Sequence, residues 1–261
     1  MRPPSSPSKM PIITLLTDFG TADSYVAEMK GVLLTRVPEA VLVDVTHDVP
    51  PGDIRAAAYI LGRTWHRFPD STVHLAIVDP GVGTSRAALA IRAHQQFFIA
   101  PDNGILTPVL HDTEVEAVSL ATPASAAATF HGRDVFAPAA AQLARGSALT
   151  ELGLRFDRIP ERLAYTPPHQ EGRSVVGEVV YVDRFGTLVT NIDADLLPAQ
   201  AVLELEDMQI GPLVRTYRDV AAGALLAYVG SDGTAEIAVR DGSAAQRLGI
   251  GIGAQVRVSG G

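Results

Sequence analysis

Between residue 12 and about residue 150, short apolar runs alternate with helix-length segments, and no other feature restricts the possible folds as tightly. An apolar run of five or six residues bounded by turn formers reads as a buried strand. Strands separated by helix-length stretches join as βαβ units, which build a parallel sheet covered by helices. Ile12–Thr17 reads as the first strand, followed by a helix from about Ser24 to Arg36 that ends near Pro38. Val41–Val45 is a second strand, and Asp53 caps a helix running to about Phe68. Val73–Val78 is the third strand. Leu89–Arg92 and Phe97–Ala100 read as a further pair, and Asp134–Arg145 as an Ala-rich helix capped by Asp134. The fold expected over residues 10–164 is an α/β domain, Rossmann-like, with a mostly parallel sheet.

After Pro160 the pattern changes. Tyr165–Gly172 is polar and Pro-bearing and reads as a linker. Beyond it Gly177–Val182, Leu188–Ile192, Val202–Leu205, Leu225–Val229, Ala235–Val239 and Gln255–Val258 are short β-like runs, some separated by turn signals at Arg184-Phe-Gly186 and Ser231-Asp-Gly233. Residues 172–261 are expected to form a second, all-β domain.

Composition removes several function classes. With no cysteine in 261 residues there is no disulfide framework, no thiolate nucleophile and no Cys-bound zinc or iron–sulfur cluster. A formal net charge of -8 argues against nucleic acid or an anionic membrane as partner. The longest apolar stretches fall well short of the ~18 residues of a membrane span. A cytoplasmic location is expected. Residues 1–9 are Pro/Ser-rich without a signal-type apolar core, and Met10 is the more natural start, so this stretch reads as a leader or a misassigned start.

The chemistry gathers in the loops after the first-domain strands: Thr17-Asp18-Phe19-Gly20, Asp44-Val-Thr-His-Asp48, Asp79-Pro-Gly-Val-Gly83 and Pro101-Asp102-Asn103-Gly104. Parallel α/β sheets bind ligands at the carboxyl ends of their strands, so these four acidic loops are expected to converge there. Asp, Asn, Gly and Pro are also simply good turn formers. Gly81-Val-Gly83 fails as a dinucleotide motif, because its third glycine position is Arg86 and a strand follows. No Gly-Lys-Ser/Thr exists, and the only lysines are Lys9 and Lys30, so a phosphate cradle is unsupported. A carboxylate-rich pocket suits a cation, either a metal or an organic sulfonium or ammonium. His131, in Phe130-His-Gly-Arg-Asp134, precedes the expected cap and can project from a loop toward a ligand.

Taken in order, Thr17–Gly20, Val78–Thr84, Pro101–Gly104, Phe130–Asp134, Asp183–Gly186, Ser231 through Glu236-Ile-Ala-Val239 and Gly242–Ala245 resemble the S-adenosylmethionine (SAM) hydroxide adenosyltransferase family. These are hydrolytic relatives of the SAM-dependent fluorinase and chlorinase, and the resemblance covers about residues 11–259. It implies an α/β domain followed by a β-barrel, assembled as a homotrimer with active sites at subunit interfaces. The implied reaction is attack of water or hydroxide on the ribose C5′ of SAM, giving adenosine and methionine with no metal or second cofactor.

Carried over position by position, Asp79, Arg86 and His131 match the set around the attacking water. Asp18 matches the residue that grips the ribose hydroxyls, with Phe19 beside it. Asp183 and Phe185 resemble the segment holding the methionine part, and Thr187 and Asn191 are further candidate polar contacts. Ser231, Glu236 and Val239 lie in the segment that reaches the methionine carboxylate and the adenine edge. The chain departs from the family at Thr187 and Arg240, where Asn is common. Either Asp79 or His131 can be the base, since burial and mutual distance decide.

Three other readings compete: a halogenase-like enzyme using chloride, a non-catalytic adenosine or SAM binder, and a metal-dependent phosphohydrolase. The last lacks any motif of spaced ligands. For Asp79 and Arg86 the plainest alternative is a buried ion pair that ties down its loop.

Overall fold

The structure, a computed structural model, describes residues 10–111, 113–206 and 208–260. The leader or misassigned start expected at residues 1–9 lies outside them. The chain divides into two compact units between Leu163 and Ala164.

Seven strands build the sheet of the first unit: β1 (Ile12–Thr17), β2 (Val41–Thr46), β3 (Val73–Ile77), β4 (Ala88–Ala93), β5 (Gln96–Pro101), β6 (Glu116–Leu120) and β7 (Gly153–Arg155). They lie in the order β2-β1-β3-β5-β4-β6-β7. The β2, β1, β3 and β5 strands are parallel, whereas β4 pairs antiparallel with β5 and β6, and β6 with β7. The sheet is therefore mixed rather than mostly parallel. The cause is the connection between β4 and β5, only His94 and Gln95, whose φ angles are 48° and 61°. A two-residue turn of that kind reverses the chain, whereas a parallel return needs a dozen or more residues. The His94 ring stacks on Trp65 at 4.5 Å, which helps hold an uncommon non-glycine backbone.

Three helices cover this sheet: α1 (Tyr25–Arg36), α2 (Ile54–Thr64) and α3 (Ala137–Ala144). Ile13, Leu15, Val73, Leu75, Ile77 and Ile99 share one core with residues of α1 and α3. The two-residue period of a strand sends Thr14, His74 and Phe98 to the other face. There Trp65, just beyond α2, meets Phe98 edge-on at 6.0 Å. Asp53 caps α2, its Oδ1 accepting the Ala56 N–H at 2.9 Å. Asp134 is not a cap. Helical backbone starts at His131 and passes through a π-helical turn, Gly132–Phe136, before α3.

The second unit holds β8 (His169–Glu171), β9 (Ser174–Val182), β10 (Leu188–Asp193), β11 (Ala201–Leu205), β12 (Met208–Pro212), β13 (Leu225–Val229), β14 (Thr234–Val239), the short helix α4 (Ala244–Leu248) and β15 (Gln255–Gly260). The path β12-β11-β15-β9-β10-β14-β13 is antiparallel throughout, and β8 adds to β9. Its two ends meet where the Val214 N–H donates to the Ala227 carbonyl at 2.8 Å, giving a nearly closed barrel. Leu188, Ile192, Leu203, Leu205, Ile237 and Val256 are among its fully buried interior residues. The stretch read as a linker is partly strand, since His169–Glu171 pairs with β9 across a two-residue turn beginning at Gly172. Among the described residues no helix is long and apolar enough to cross a membrane.

Candidate active site

Because β1, β2, β3 and β5 are parallel, their carboxyl ends share one edge of the sheet, and the loops that follow them collect there. Asp79 leaves β3 into the turn Pro80–Gly83. Gly83 has φ +78°, and a Cβ at that position would lie 2.7 Å from the Ala128 carbonyl oxygen. Glycine thus lets the Asp79 loop press against the segment leading to His131. Arg86 closes the same loop just before β4.

The three side chains meet. The Arg86 guanidinium holds Asp79 as a fork, Nε donating to Oδ1 at 3.0 Å and Nη2 to Oδ2. The same Nη2 donates to Nδ1 of His131 at 3.0 Å. The side chains of Asp79 and Arg86 are only 6% and 11% exposed, and the guanidinium sits 5.3 Å from the centre of the Phe136 ring. Burial, and then the adjacent Arg86 charge, hold the His131 imidazole below its ordinary pKa, so it is neutral at pH 7. A guanidinium offers only donors, so Nδ1 must accept and the proton of the neutral ring is assigned to Nε2.

Beside this set lies a cleft of about 380 Å³, lined among others by Phe19, Tyr25, Asp79, Val82, Phe130 and His131. Its size suits a small molecule. Phe19, Tyr25 and Phe130 contact one another edge-to-face, with ring centres 5.3–6.1 Å apart, and form its aromatic wall. Arg133 lies within the Phe130–Asp134 motif, whereas no motif marks Tyr25 or Glu28. The signal available was position: Tyr25 and Glu28 are three residues apart on the first turn of the helix that follows the Asp18 loop, and so share a face.

Asp18 sits in the neighbouring loop, its Oδ2 accepting the Gly52 N–H at 2.8 Å. A Cβ on Gly52 would lie 4.0 Å from Pro80, which places this contact next to the Asp79 turn. The acidic loops do not pool their charges. Asp44 bonds Lys30 at 2.6 Å, Asp79 bonds Arg86, and Asp102 accepts the Glu161 N–H at 2.8 Å. Burial pushes the Asp102 carboxyl up. Among the described residues no three His, Asp or Glu side chains form a metal-ligand group. Asp18, Asp44, Asp79 and Asp102 are thus each held by a separate donor.

In the second unit Asp183 organises its own turn, Oδ1 accepting the N–H groups of Phe185 at 2.9 Å and Thr187 at 2.8 Å. Phe185 stands 77% exposed at the tip, whereas Thr187 is buried. Ser231 lies in the exposed turn before β14. Glu236 is buried below Gly230 and accepts the Tyr228 hydroxyl at 2.6 Å. Asn191 uses both ends of its amide within this unit, accepting the Glu178 N–H and donating to the Thr166 carbonyl, each at 2.8 Å. The Val239 side chain belongs to the barrel core. Asn191 thus ties β10 to β9 and to Thr166, and Val239 packs in the barrel interior.

The sequence profile of the SAM hydroxide adenosyltransferase N-terminal domain matches residues 13–153, and that of the C-terminal domain matches residues 177–257. A protein of Salinispora tropica named (R)-S-adenosyl-L-methionine hydrolase is 40% identical over 262 residues, covering 96% of this chain and 98% of its own. A fluorinase of Actinopolyspora mzabensis is 30% identical, covering 95% and 97%. Among solved structures, an uncharacterized conserved protein from Thermotoga maritima superposes with a TM-score of 0.87 at 36% identity, covering 95% of this chain and 99% of its own.

Proposed function

The chain belongs to the SAM hydroxide adenosyltransferase family, and from that premise we propose that it hydrolyses SAM to adenosine and L-methionine by attack of water at the ribose C5′. One observation carries the residue roles: a single guanidinium, that of Arg86, binds Asp79 and His131 at once at the end of the cleft.

The sulfonium makes C5′ electrophilic, and its leaving group is a neutral thioether that needs neither proton nor Lewis acid. The protein's task is to hold an oxygen nucleophile in line with the C5′–S bond. His131, with its proton on Nε2, can donate to that oxygen and orient it, but has no lone pair there to take its proton. Asp79 keeps free lone pairs beside its two bonds to Arg86, so it is assigned as acceptor of the proton that water releases. Arg86 fixes both partners and stabilises the hydroxide character that develops. Asp18 is assigned to the ribose hydroxyls and Phe19 to the cleft wall. Asp183, Phe185, Thr187, Asn191, Ser231, Glu236 and Val239 are assigned to the methionine and adenine ends. The proposal includes a homotrimer with sites at subunit interfaces, a cytoplasmic setting and no metal or second cofactor. The name of the Salinispora tropica relative points to the (R) configuration at sulfur.

The test is incubation with each sulfur epimer of SAM in halide-free, chelated buffer, with products resolved by chromatography and mass. Adenosine carrying oxygen from labelled water, plus methionine, is the expected result. Intact SAM refutes the hydrolase, and a halogenated adenosine formed on adding chloride or fluoride refutes water as the nucleophile. Sedimentation measures the trimer.

A further inference from the structure

The charges around the cleft do not balance, and the excess belongs to one residue. Arg86 and Asp79 neutralise each other at the inner end. On the α1 side Arg133 faces two carboxylates. Its Nε and Nη2 bind Asp134 at 2.7 and 3.0 Å, and its Nη1 binds Glu28 at 2.8 Å. Three carboxylates stand against two guanidiniums, with His131 neutral, so the cleft holds one net negative charge. Asp134 takes the guanidinium as a fork and also accepts the Ala127 N–H at 2.8 Å, which commits it to the turn. Glu28 takes a single bond from Arg133 and one from the Ser24 hydroxyl at 2.7 Å, and it lines the cleft directly. Those two bonds keep its carboxylate below the ordinary carboxylate range, hence ionised.

We propose that Glu28 is a specificity-determining residue, whose uncompensated charge makes the cleft select a sulfonium nucleoside over the corresponding neutral thioether. The inference rests on the proposed SAM chemistry of the same cleft. SAM carries one net positive charge, from sulfonium and ammonium against one carboxylate. S-adenosylhomocysteine, the same molecule without the sulfur-bound methyl, is neutral overall, as are adenosine and methionine. A single excess negative charge therefore favours the substrate over both products and over the thioether, at no cost in shape. The Glu28 side chain is 37% exposed, so water and salt screen part of this charge, and the effect on affinity is modest.

Glu28→Gln tests this, because it removes the charge while the amide oxygen still accepts from Arg133 and the amide NH2 donates to the Ser24 hydroxyl, reversing that one bond. Affinity for SAM, read as KM with turnover or as Kd without it, is expected to weaken about three- to tenfold, as for a partly screened charge pair. The inhibition or dissociation constant of S-adenosylhomocysteine is expected to stay the same. Ser24→Ala, which removes a hydrogen bond but no charge, should preserve the selectivity ratio. Equal weakening for both ligands, or for neither, overturns the proposal. If the Gln variant does not fold, the native protein answers through salt. From about 0.02 M to about 0.5 M, affinity for SAM must fall while that for the thioether holds, and parallel curves overturn it. Binding without products would refute the hydrolase and leave this selectivity test intact.

Discussion

Arg86→Lys keeps the positive charge and removes the fork, and so separates geometry from electrostatics at the proposed site. Arg86 makes three directed bonds, two to Asp79 and one to His131, and a lysine ammonium at that depth can keep about one of them. Hydrogen bonds to charged groups contribute about 1.5–3 kcal/mol each, so losing two removes roughly 3–6 kcal/mol of positioning. Part of that is recovered by relaxation and by water. About 3–4 kcal/mol reaching the transition state lowers kcat by about 10²–10³. KM for SAM should change much less, because neither lost bond touches the amino-acid end. His131 also loses the donor that fixes its tautomer, so the ring can carry its proton on either nitrogen. The assay is chromatographic measurement of adenosine released by variant and native protein, with thermal melting of both. A folded Lys variant whose kcat stays within about threefold of native would refute the reasoning and leave Arg86 as a tie for its loop.

Asp18→Ala should weaken binding of both SAM and adenosine by losing the ribose grip, and calorimetry with adenosine alone checks it, unchanged affinity removing the assignment. Gly83→Ala forces a side chain into a left-handed position 2.7 Å from the Ala128 oxygen. It should cost about 1–3 kcal/mol in denaturant unfolding and lower turnover as the Asp79 loop lifts. His74 is buried between Thr14, which donates to Nδ1 at 2.8 Å, and Gln96, whose Oε1 accepts from Nε2 at 2.5 Å. Burial outweighs the Gln96 bond and pushes its pKa down to about 4 from 6.5. The folded state thus favours the neutral ring, and the contribution is fully present above pH 6.5 and is lost as pH falls toward 4. The loss is at most about 3 kcal/mol, visible as a steeper fall of native unfolding free energy over that range than in His74→Gln.

Sequence made the parallel half of the first unit legible, because β1, β2 and β3 are apolar runs punctuated by Asp, Gly and Pro. The antiparallel half was obscured by one turn. His94 and Gln95 carry none of the glycine or asparagine that normally marks a tight hairpin, and their backbone is held by a contact with Trp65 distant in sequence. Asp134 looked like a cap because caps are the commonest use of such a residue near a helix start. Its bonds to Arg133 and Ala127 depend on a π-turn that no local pattern announces. Strand β12, Met-Gln-Ile-Gly-Pro, escaped notice because an edge strand needs little apolar alternation. Asp79, Arg86 and His131 were named through motif order, and no spacing rule links positions 45 residues apart. That they touch is a property of the fold, through Gly83 and the shared strand edge.

The π-turn at Gly132–Phe136 has a consequence for how such a protein can change over generations. It holds one residue more than an α-helical turn, and each residue of an α-helix advances the face by about 100°. Because each residue of a π-turn advances less, the turn absorbs that residue and leaves His131 upstream and the buried alanines of α3 downstream in the register of one continuous helix. Removing a single codon between positions 133 and 135 would therefore keep the alanine face on the sheet and the histidine on its side, and would cost the fork between Arg133 and Asp134. Loss of one residue there alters the cleft wall at almost no expense to the scaffold that carries it.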